Sequence, residues 1–216
     1  NTRPQKQEGY VSVNLSLKPA GIPPGDVTDR QLEIIADLAD RFSFGEVRTT
    51  HNQNIVLTDV IKSDLFELWQ QAKTAGLATP NIGTINDMIC CPGGDYCSLA
   101  NAKSIPVAEA IQRKFSDLDY VYDLGDLELN ISGCMNACGQ HAIADIGFQG
   151  MTVKSNGNIA PATQVLLGGG ALGNGEGRYA DKALKVPAKR TPQVLRWLLE
   201  DFDANVQHEE TFLQYY

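Results

Sequence analysis

All five cysteines of this 216-residue chain fall in two short segments that also contain glycine. Five residues separate Cys91 from Cys97, three separate Cys134 from Cys138, and Cys90 adjoins the first pair. Two thiolate pairs with glycine around them are the donors that an iron–sulfur cube takes from a protein. Glycine lets the backbone turn closely around an inorganic core, and its N–H groups can donate to sulfur. The cysteines therefore predict a 4Fe-4S site.

Other uses of cysteine fit this pattern less well. A disulfide framework is disfavoured, because the cysteine count is odd and the chain starts without an apolar signal segment. A structural zinc site stays open, although paired zinc ligands usually have about two residues between them. A CxxC redox motif is absent, and a lone buried thiol explains one cysteine but not four. We interpret Cys90 as a buried non-ligand, since neighbours in an extended backbone point to opposite sides.

In order and spacing, the two cysteine pairs resemble those of the sulfite and nitrite reductases that carry sirohaem coupled to a 4Fe-4S cluster. The resemblance extends over most of the chain, including the segments 9–10, 48–54 and 167–169. It implies that all four paired cysteines bind the cluster. It also implies that Cys138 bridges to the sirohaem iron.

Members of that family typically have two pseudo-repeated halves, and this sequence resembles the second half only. In the family, the first half supplies most of the Arg and Lys residues that bind the sirohaem carboxylates and the substrate anion. The catalytic residues are therefore unknown here and are expected in the missing half. Because the chain starts at Asn1 without a Met, we expect a fragment or an incomplete chain.

The polar segment 48–54 supplies the second group of candidates, and the resemblance implies that it approaches the sirohaem. The candidate contacts to the ring or its carboxylates are Arg48, Thr49, Gln53 and Asn54. A polar hairpin in water explains any single one of them equally well. Asn136, between the second pair of cysteines, is a weaker candidate donor to a cluster sulfur or to the macrocycle, because it could equally fix its turn.

The formal net charge of -8 argues against a nucleic-acid binder, which needs a basic face. It also predicts a partner that supplies positive charge, because sirohaem carboxylates and four thiolates concentrate negative charge. The N-terminal half of the same enzyme or a second copy would serve. The sequence has no stretch that approaches a membrane span, and a cytoplasmic location is expected.

Secondary-structure signals predict an α+β protein of two lobes. Residues 1–9 are predicted to be a linker or tail. Over 10–80, strand, helix, strand, strand and helix follow one another, which is most of a ferredoxin-like lobe. Residues 81–216 are predicted to form a larger mixed α/β lobe that binds the cluster and the sirohaem. Its strand at 127–132 leads into the second cysteine pair, and its last helix starts at Thr191-Pro192.

The run 168–173 formally satisfies GxGxxG after an apolar strand. A dinucleotide fold requires a helix directly after this motif, and the following residues 174–177 contain two glycines that would break one. We therefore predict a loop, either closing over a cofactor edge or plainly flexible.

By the resemblance, the whole enzyme is an oxidoreductase that reduces sulfite to sulfide, or nitrite to ammonia, by six electrons. Its electron donor would be a ferredoxin or a flavoprotein. Two alternatives remain at this point. One is a stand-alone iron–sulfur electron-transfer or scaffold protein, and the other is a nucleotide-dependent oxidoreductase that uses the glycine run.

Overall fold

The computed structural model describes residues 1–172, 175–207 and 210–216. The chain divides into two compact units, Asn1–Ile82 and Gly83–Tyr216. Each unit has its own hydrophobic core. No helix in the described ranges combines the length and the hydrophobicity needed for a membrane crossing.

The first unit is a four-stranded antiparallel sheet with two helices. Its elements are β1 (Thr2–Pro4), β2 (Tyr10–Leu15), α1 (Asp29–Phe42), β3 (Val47–Thr49), β4 (Ile55–Ile61) and α2 (Leu65–Thr74). The strand order is β1-β2-β4-β3. Buried and partly exposed residues alternate along β2, as its sequence predicts. Helix α1 begins after Thr28, whose hydroxyl accepts from the Gln31 amide in a capping box.

The prediction of a tail at residues 1–9 is wrong for its first part. Strand β1 pairs with β2, and Thr2 lies opposite Val13. The polar side chains of β1 are exposed because it is an edge strand, and an edge strand also tolerates Pro4. Composition alone does not distinguish such a strand from a linker.

The second unit is built on a five-stranded mixed sheet. Its elements are β5 (Ile89–Cys90), α3 (Ile105–Lys114), α4 (Leu118–Asp123), β6 (Leu129–Ser132), β7 (Ile146–Ser155), β8 (Asn158–Leu167), β9 (Gly170–Ala171), β10 (Gly177–Arg178), β11 (Asp181–Pro187), α5 (Thr191–Asn205) and α6 (Phe212–Tyr215). The sheet order is β11-β8-β7-β6-β5, and β5, β6 and β7 run parallel. The predicted α+β class is confirmed.

Both tryptophans are more exposed than the helical pattern predicts. Trp69 on α2 and Trp197 on α5 are each about half exposed, 45% and 55%. The buried faces of these helices are carried by neighbours such as Leu68 and Leu195. In the sequence, Ser98 could cap the helix that follows the first cysteine pair, and Pro106 predicts that its start is delayed or kinked. Helix α3 indeed begins only at Ile105.

Candidate iron–sulfur site

The two cysteine segments follow two neighbouring parallel strands. Strand β5 pairs with β6 so that Cys90 lies opposite Ile131, and the Cys91 amide donates to the Ile131 carbonyl at 3.0 Å. Parallel strands present their carboxyl ends at the same edge of a sheet, which is where α/β sheets bind ligands. Cys91 and Cys134 therefore leave the sheet at the same edge.

Contacts between backbones join the two cysteine segments. The Gly133 carbonyl accepts from the amides of Asn101 and Ala102 at 2.9 and 3.1 Å. A Cβ on Gly133 would lie 2.7 Å from the Gly93 Cα, which is closer than real Cβ contacts come. Glycine at 133 thus allows the residue before Cys134 to pack directly against the turn after Cys91.

The second cysteine pair lies on a loop that folds back onto β6. Ala137 adopts φ 57, a left-handed conformation that is uncommon outside glycine, and its carbonyl accepts from the Gln140 amide at 2.7 Å. The Gly139 amide donates to the Ser132 hydroxyl at 3.0 Å. Cys138 is thereby returned to the end of the strand that leads into Cys134.

The five sulfurs have different surroundings. Cys91 and Cys134 are buried, Cys97 is half-buried and Cys138 is exposed. Cys90 is buried in the hydrophobic core of the second unit, and its thiol donates to the Cys91 carbonyl at 3.3 Å. All five lie within the described residues, and none is joined in a disulfide.

The Cys91 sulfur accepts a hydrogen bond from the Gly133 amide at 3.0 Å. A backbone N–H aimed at sulfur stabilises the negative charge of a thiolate, which is the form that binds iron. Together with the small residues around both loops, this donor fits an iron–sulfur cluster. In the described residues, no three His, Cys, Asp or Glu side chains come together as ligands of a single ion. A cube is different, because each thiolate binds a different iron.

Charged groups near the first cysteine pair are paired with each other. The Lys103 ammonium lies 2.8 Å from the Asp95 carboxylate, which stands between Cys91 and Cys97. The hydrogen bond and the charge of Asp95 raise the pKa of Lys103. This exposed pair reduces the negative charge that Asp95 adds beside the two cysteines.

His141 follows the second pair by three residues and is buried. Burial lowers the pKa of His141, and a hydrogen bond with the Gln149 side chain opposes this effect. Its Nδ1 has no hydrogen-bond partner among the described residues. The side chain is therefore neutral at pH 7.

In the first unit, Arg48 and Thr49 lie on β3 and are exposed. The Arg48 guanidinium forms an ion pair with Glu46 at 3.0 Å. Because both side chains are mostly in solvent, this pair is weak, and Arg48 can exchange Glu46 for another anion.

Gln53 and Asn54 lie at the turn between β3 and β4. Gln53 has φ 54, and its side chain packs over Gly25. A Cβ added to Gly25 would lie 3.0 Å from the Gln53 Cβ. Asn54 is buried, and its side-chain oxygen accepts from the Leu17 amide at 3.2 Å. Asn54 thus anchors the hairpin to the end of β2.

Lys18 is a buried residue that the sequence did not single out. Its side chain is 1% exposed, and its ammonium donates to the Asn52 carbonyl in the same hairpin turn. A lysine after an alternating strand normally predicts a solvent-exposed side chain. The contact depends on how two distant segments pack, so no local signal identified it.

Asn136 is exposed on the loop between Cys134 and Cys138.

The remaining sequence signal, the glycine run at 168–173, has a structural role. A Cβ on Gly169 would lie 2.7 Å from the Ala144 carbonyl oxygen, and β9 pairs with β10. Gly173, the last residue of the motif, lies outside the described residues. The strand pairing after Gly168 differs from the helix that a dinucleotide site requires.

Two family models match the chain. Residues 3–75 match the nitrite/sulfite reductase ferredoxin-like half domain, and residues 83–211 match the nitrite and sulphite reductase 4Fe-4S domain. The cofactors of this family are a 4Fe-4S cluster and sirohaem.

Similar proteins include nitrite and sulfite reductases. A ferredoxin–nitrite reductase of Synechococcus elongatus is 30% identical over 94% of this chain and 38% of its own length. An assimilatory ferredoxin-dependent nitrite reductase of Haloferax mediterranei is 27% identical over 98% of this chain and 35% of its own. A sulfite reductase [ferredoxin] of Mycolicibacterium paratuberculosis is 28% identical over 75% of this chain and 30% of its own. The chain thus spans less than two fifths of the length of each.

The fold matches that of a solved relative. The NirA protein of Mycobacterium tuberculosis superposes with a TM-score of 0.80 at 25% identity, over 99% of this chain and 39% of that one. Dissimilatory sulfite reductase I shares the fold, with a TM-score of 0.73 at 12% identity over 95% of this chain and 66% of that one. With both family models matched along its length, the chain belongs to the nitrite and sulfite reductase family.

Proposed function

We propose that this chain is the cluster- and sirohaem-binding part of a ferredoxin-dependent reductase that converts nitrite to ammonia by six electrons. Sulfite reduction to sulfide is the competing activity, because the relatives include both kinds of enzyme. The observation that carries the proposal is that the two cysteine segments meet at the ends of adjacent parallel strands. There the Gly133 amide donates a hydrogen bond to the Cys91 sulfur.

Cys91, Cys97, Cys134 and Cys138 are the proposed cluster ligands. Cys138 is the proposed bridge to the sirohaem iron, and its exposure supports this role, since a second cofactor must reach that sulfur from outside the loop. When bound, the two cofactors supply the electron transfer and the iron at which the anion is reduced. The protein holds the thiolates and sets their surroundings.

Arg48, Thr49, Gln53 and Asn54 are the proposed sirohaem contacts in the first unit. Asn54 would act by fixing the hairpin, because its side-chain oxygen is already bonded to the Leu17 amide. Arg48 would exchange its exposed partner Glu46 for a sirohaem carboxylate. Asn136 is exposed beside the cysteines and is the proposed donor to a sulfur or to the macrocycle.

The net charge of -8 supports a partner that contributes positive groups for the substrate anion. We propose that this partner is the N-terminal half of the same enzyme or a second copy of the chain. A reducing compartment such as the cytoplasm is the proposed location, since the thiols must remain reduced to bind iron.

The test is anaerobic purification of the protein, followed by iron, acid-labile sulfide and visible absorption measurements. We expect a cluster and a sirohaem band, with nitrite-dependent oxidation of reduced ferredoxin by the complete enzyme. A cluster without a sirohaem band would favour an iron–sulfur electron carrier, and faster turnover with sulfite would reverse the substrate assignment. A protein that takes up neither cofactor under reconstitution would contradict the proposal.

A further inference from the structure

The Ser104 hydroxyl lies against the first cysteine of the site. Ser104 is buried, and its Oγ donates to the Cys91 carbonyl at 2.6 Å. The same oxygen lies 3.6 Å from the Cys91 sulfur, a hydrogen-bond contact in which either atom can donate. One hydroxyl therefore contacts both the backbone and the sulfur of Cys91.

Ser104 immediately precedes helix α3, where a serine commonly caps the helix through its side chain. Here its side chain makes no capping hydrogen bond, and its hydroxyl is directed to Cys91 instead. The space for it comes from Gly93, where an added Cβ would lie 2.1 Å from the Ser104 Oγ. The turn after Cys91 is thus shaped around this hydroxyl.

The Cys91 sulfur accordingly lies between two hydrogen-bonding groups, the Gly133 amide and the Ser104 hydroxyl. A thiolate bound to iron has no proton, so a hydrogen bond between it and Ser104 must use the single hydroxyl proton of Ser104. The Cys91 carbonyl and the Cys91 sulfur therefore share that proton as two acceptors. Reduction of a cluster adds negative charge that spreads over the ligand sulfurs. Donors to those sulfurs therefore stabilise the reduced state more than the oxidised state and raise the reduction potential.

We infer that Ser104 is a positioning residue that fixes Cys91 and raises the reduction potential of the cluster through its hydroxyl. The inference rests on the proposed function, because it requires Cys91 to bind the cluster. It assigns to a residue outside both cysteine pairs a part in setting how readily the site accepts an electron.

The experiment compares Ser104→Ala and Ser104→Thr with the wild-type holoprotein in a redox titration followed by electron paramagnetic resonance. Ser98→Ala is the matched control, because Ser98 is exposed in the same loop. We expect Ser104→Ala to keep its iron and sulfide but to have a more negative potential. At the wild-type midpoint, its ratio of reduced to oxidised cluster should fall several-fold. Ser104→Thr and Ser98→Ala should titrate like the wild type.

An unchanged midpoint in Ser104→Ala, with the cluster retained, would overturn the inference. If Ser104→Ala loses the cluster or unfolds, the Ser104→Thr variant decides. A wild-type midpoint in Ser104→Thr would support the role of the hydroxyl, whereas the same defect as in the alanine variant would overturn it. A wild-type protein that binds no cluster would instead refute the proposed function, so the two failures are distinguishable.

Discussion

Cys90 and Cys91 are adjacent in sequence but have different environments. Cys90 packs into the core of the second unit, whereas the Cys91 sulfur faces the Gly133 amide. Cys90 is the last residue of β5, and the Cys91 amide continues the pairing with β6, so the two successive side chains point to opposite sides. The environment of each sulfur therefore depends on the strand rather than on the type of residue.

This difference predicts opposite results for two serine substitutions. Cys138→Ser should remove the sirohaem band and disturb the cluster signal, because Cys138 is the proposed fourth cluster ligand and the proposed bridge to the sirohaem iron. Cys90→Ser should leave both spectra nearly intact, at a cost of about 1–3 kcal/mol for a polar group in an apolar core. Visible and paramagnetic resonance spectra measure the outcome. Loss of the cluster in Cys90→Ser, with the fold retained, would show that the ligand assignment is wrong.

His141 predicts a pH dependence of stability. Its pKa is lowered in the folded chain, so below the unfolded value of 6.5 the unfolded chain binds more protons than the folded one. The contribution of neutral His141 to the free energy of unfolding is thus complete above pH 6.5. It is lost as the pH falls through 6.5 toward the pKa of the folded chain. Urea unfolding at pH 7.5 and pH 5.5 should show a loss of stability that is smaller in His141→Gln. Equal losses in both proteins would contradict the assignment.

Among the secondary-structure elements, β7 bears on the site without contributing a cysteine. Gly150 on β7 packs against the Gly133 backbone, and an added Cβ would lie 2.5 Å from the Gly133 oxygen. The contact with a backbone atom cannot be relieved by rotating a side chain. Strand β7 and the residue before Cys134 therefore depend on each other's position.

Gly150→Ala should displace the Gly133 backbone, destabilise the second unit by about 1–3 kcal/mol and lower cluster content. Gly177→Ala is the control, because the nearest atom to its added Cβ is the Gly170 oxygen at 3.7 Å. Iron and sulfide per chain, together with thermal unfolding, measure the effect. Equal cluster content in the two variants would mean that β7 does not support the loop.

Local patterns predicted several elements well. The order of strands and helices over 10–80, the strand that leads into Cys134 and the last helix were predicted from apolar period and helix-start signals. Strand β1 was missed because an exposed edge strand has no apolar alternation. The roles of Ser104 and Lys18 come from contacts between segments distant in sequence, which local patterns do not encode.

For the whole molecule, the two units have separate hydrophobic cores, and each unit also contains one partly exposed tryptophan that can report its unfolding. Trp69 lies in the first unit and Trp197 in the second. Leu57 is fully buried in the first core. Truncation of the Leu57 side chain should therefore lower mainly the stability of the first unit.

Leu57→Ala should lower the stability of the first unit by about 2–5 kcal/mol because it leaves a cavity. In a Trp197→Phe background, the urea midpoint from Trp69 fluorescence should fall clearly. In a Trp69→Phe background, the urea midpoint measured from Trp197 fluorescence should change much less. Equal shifts would show that both cores unfold as one cooperative unit.

The sequence predicted that the two cysteine segments would meet, but the physical reason for their meeting is the topology of the sheet. Strands β5 and β6 are parallel neighbours, and parallel neighbours cannot be joined by a tight turn. The chain must cross over between them, and it does so through α3 and α4. The long interval between Cys97 and Cys134 is therefore the length of this crossover, not a demand of iron chemistry. Residues added at the turn between α3 and α4 should leave the ends of β5 and β6 in place, whereas residues added within either cysteine pair would change the spacing of the sulfurs themselves.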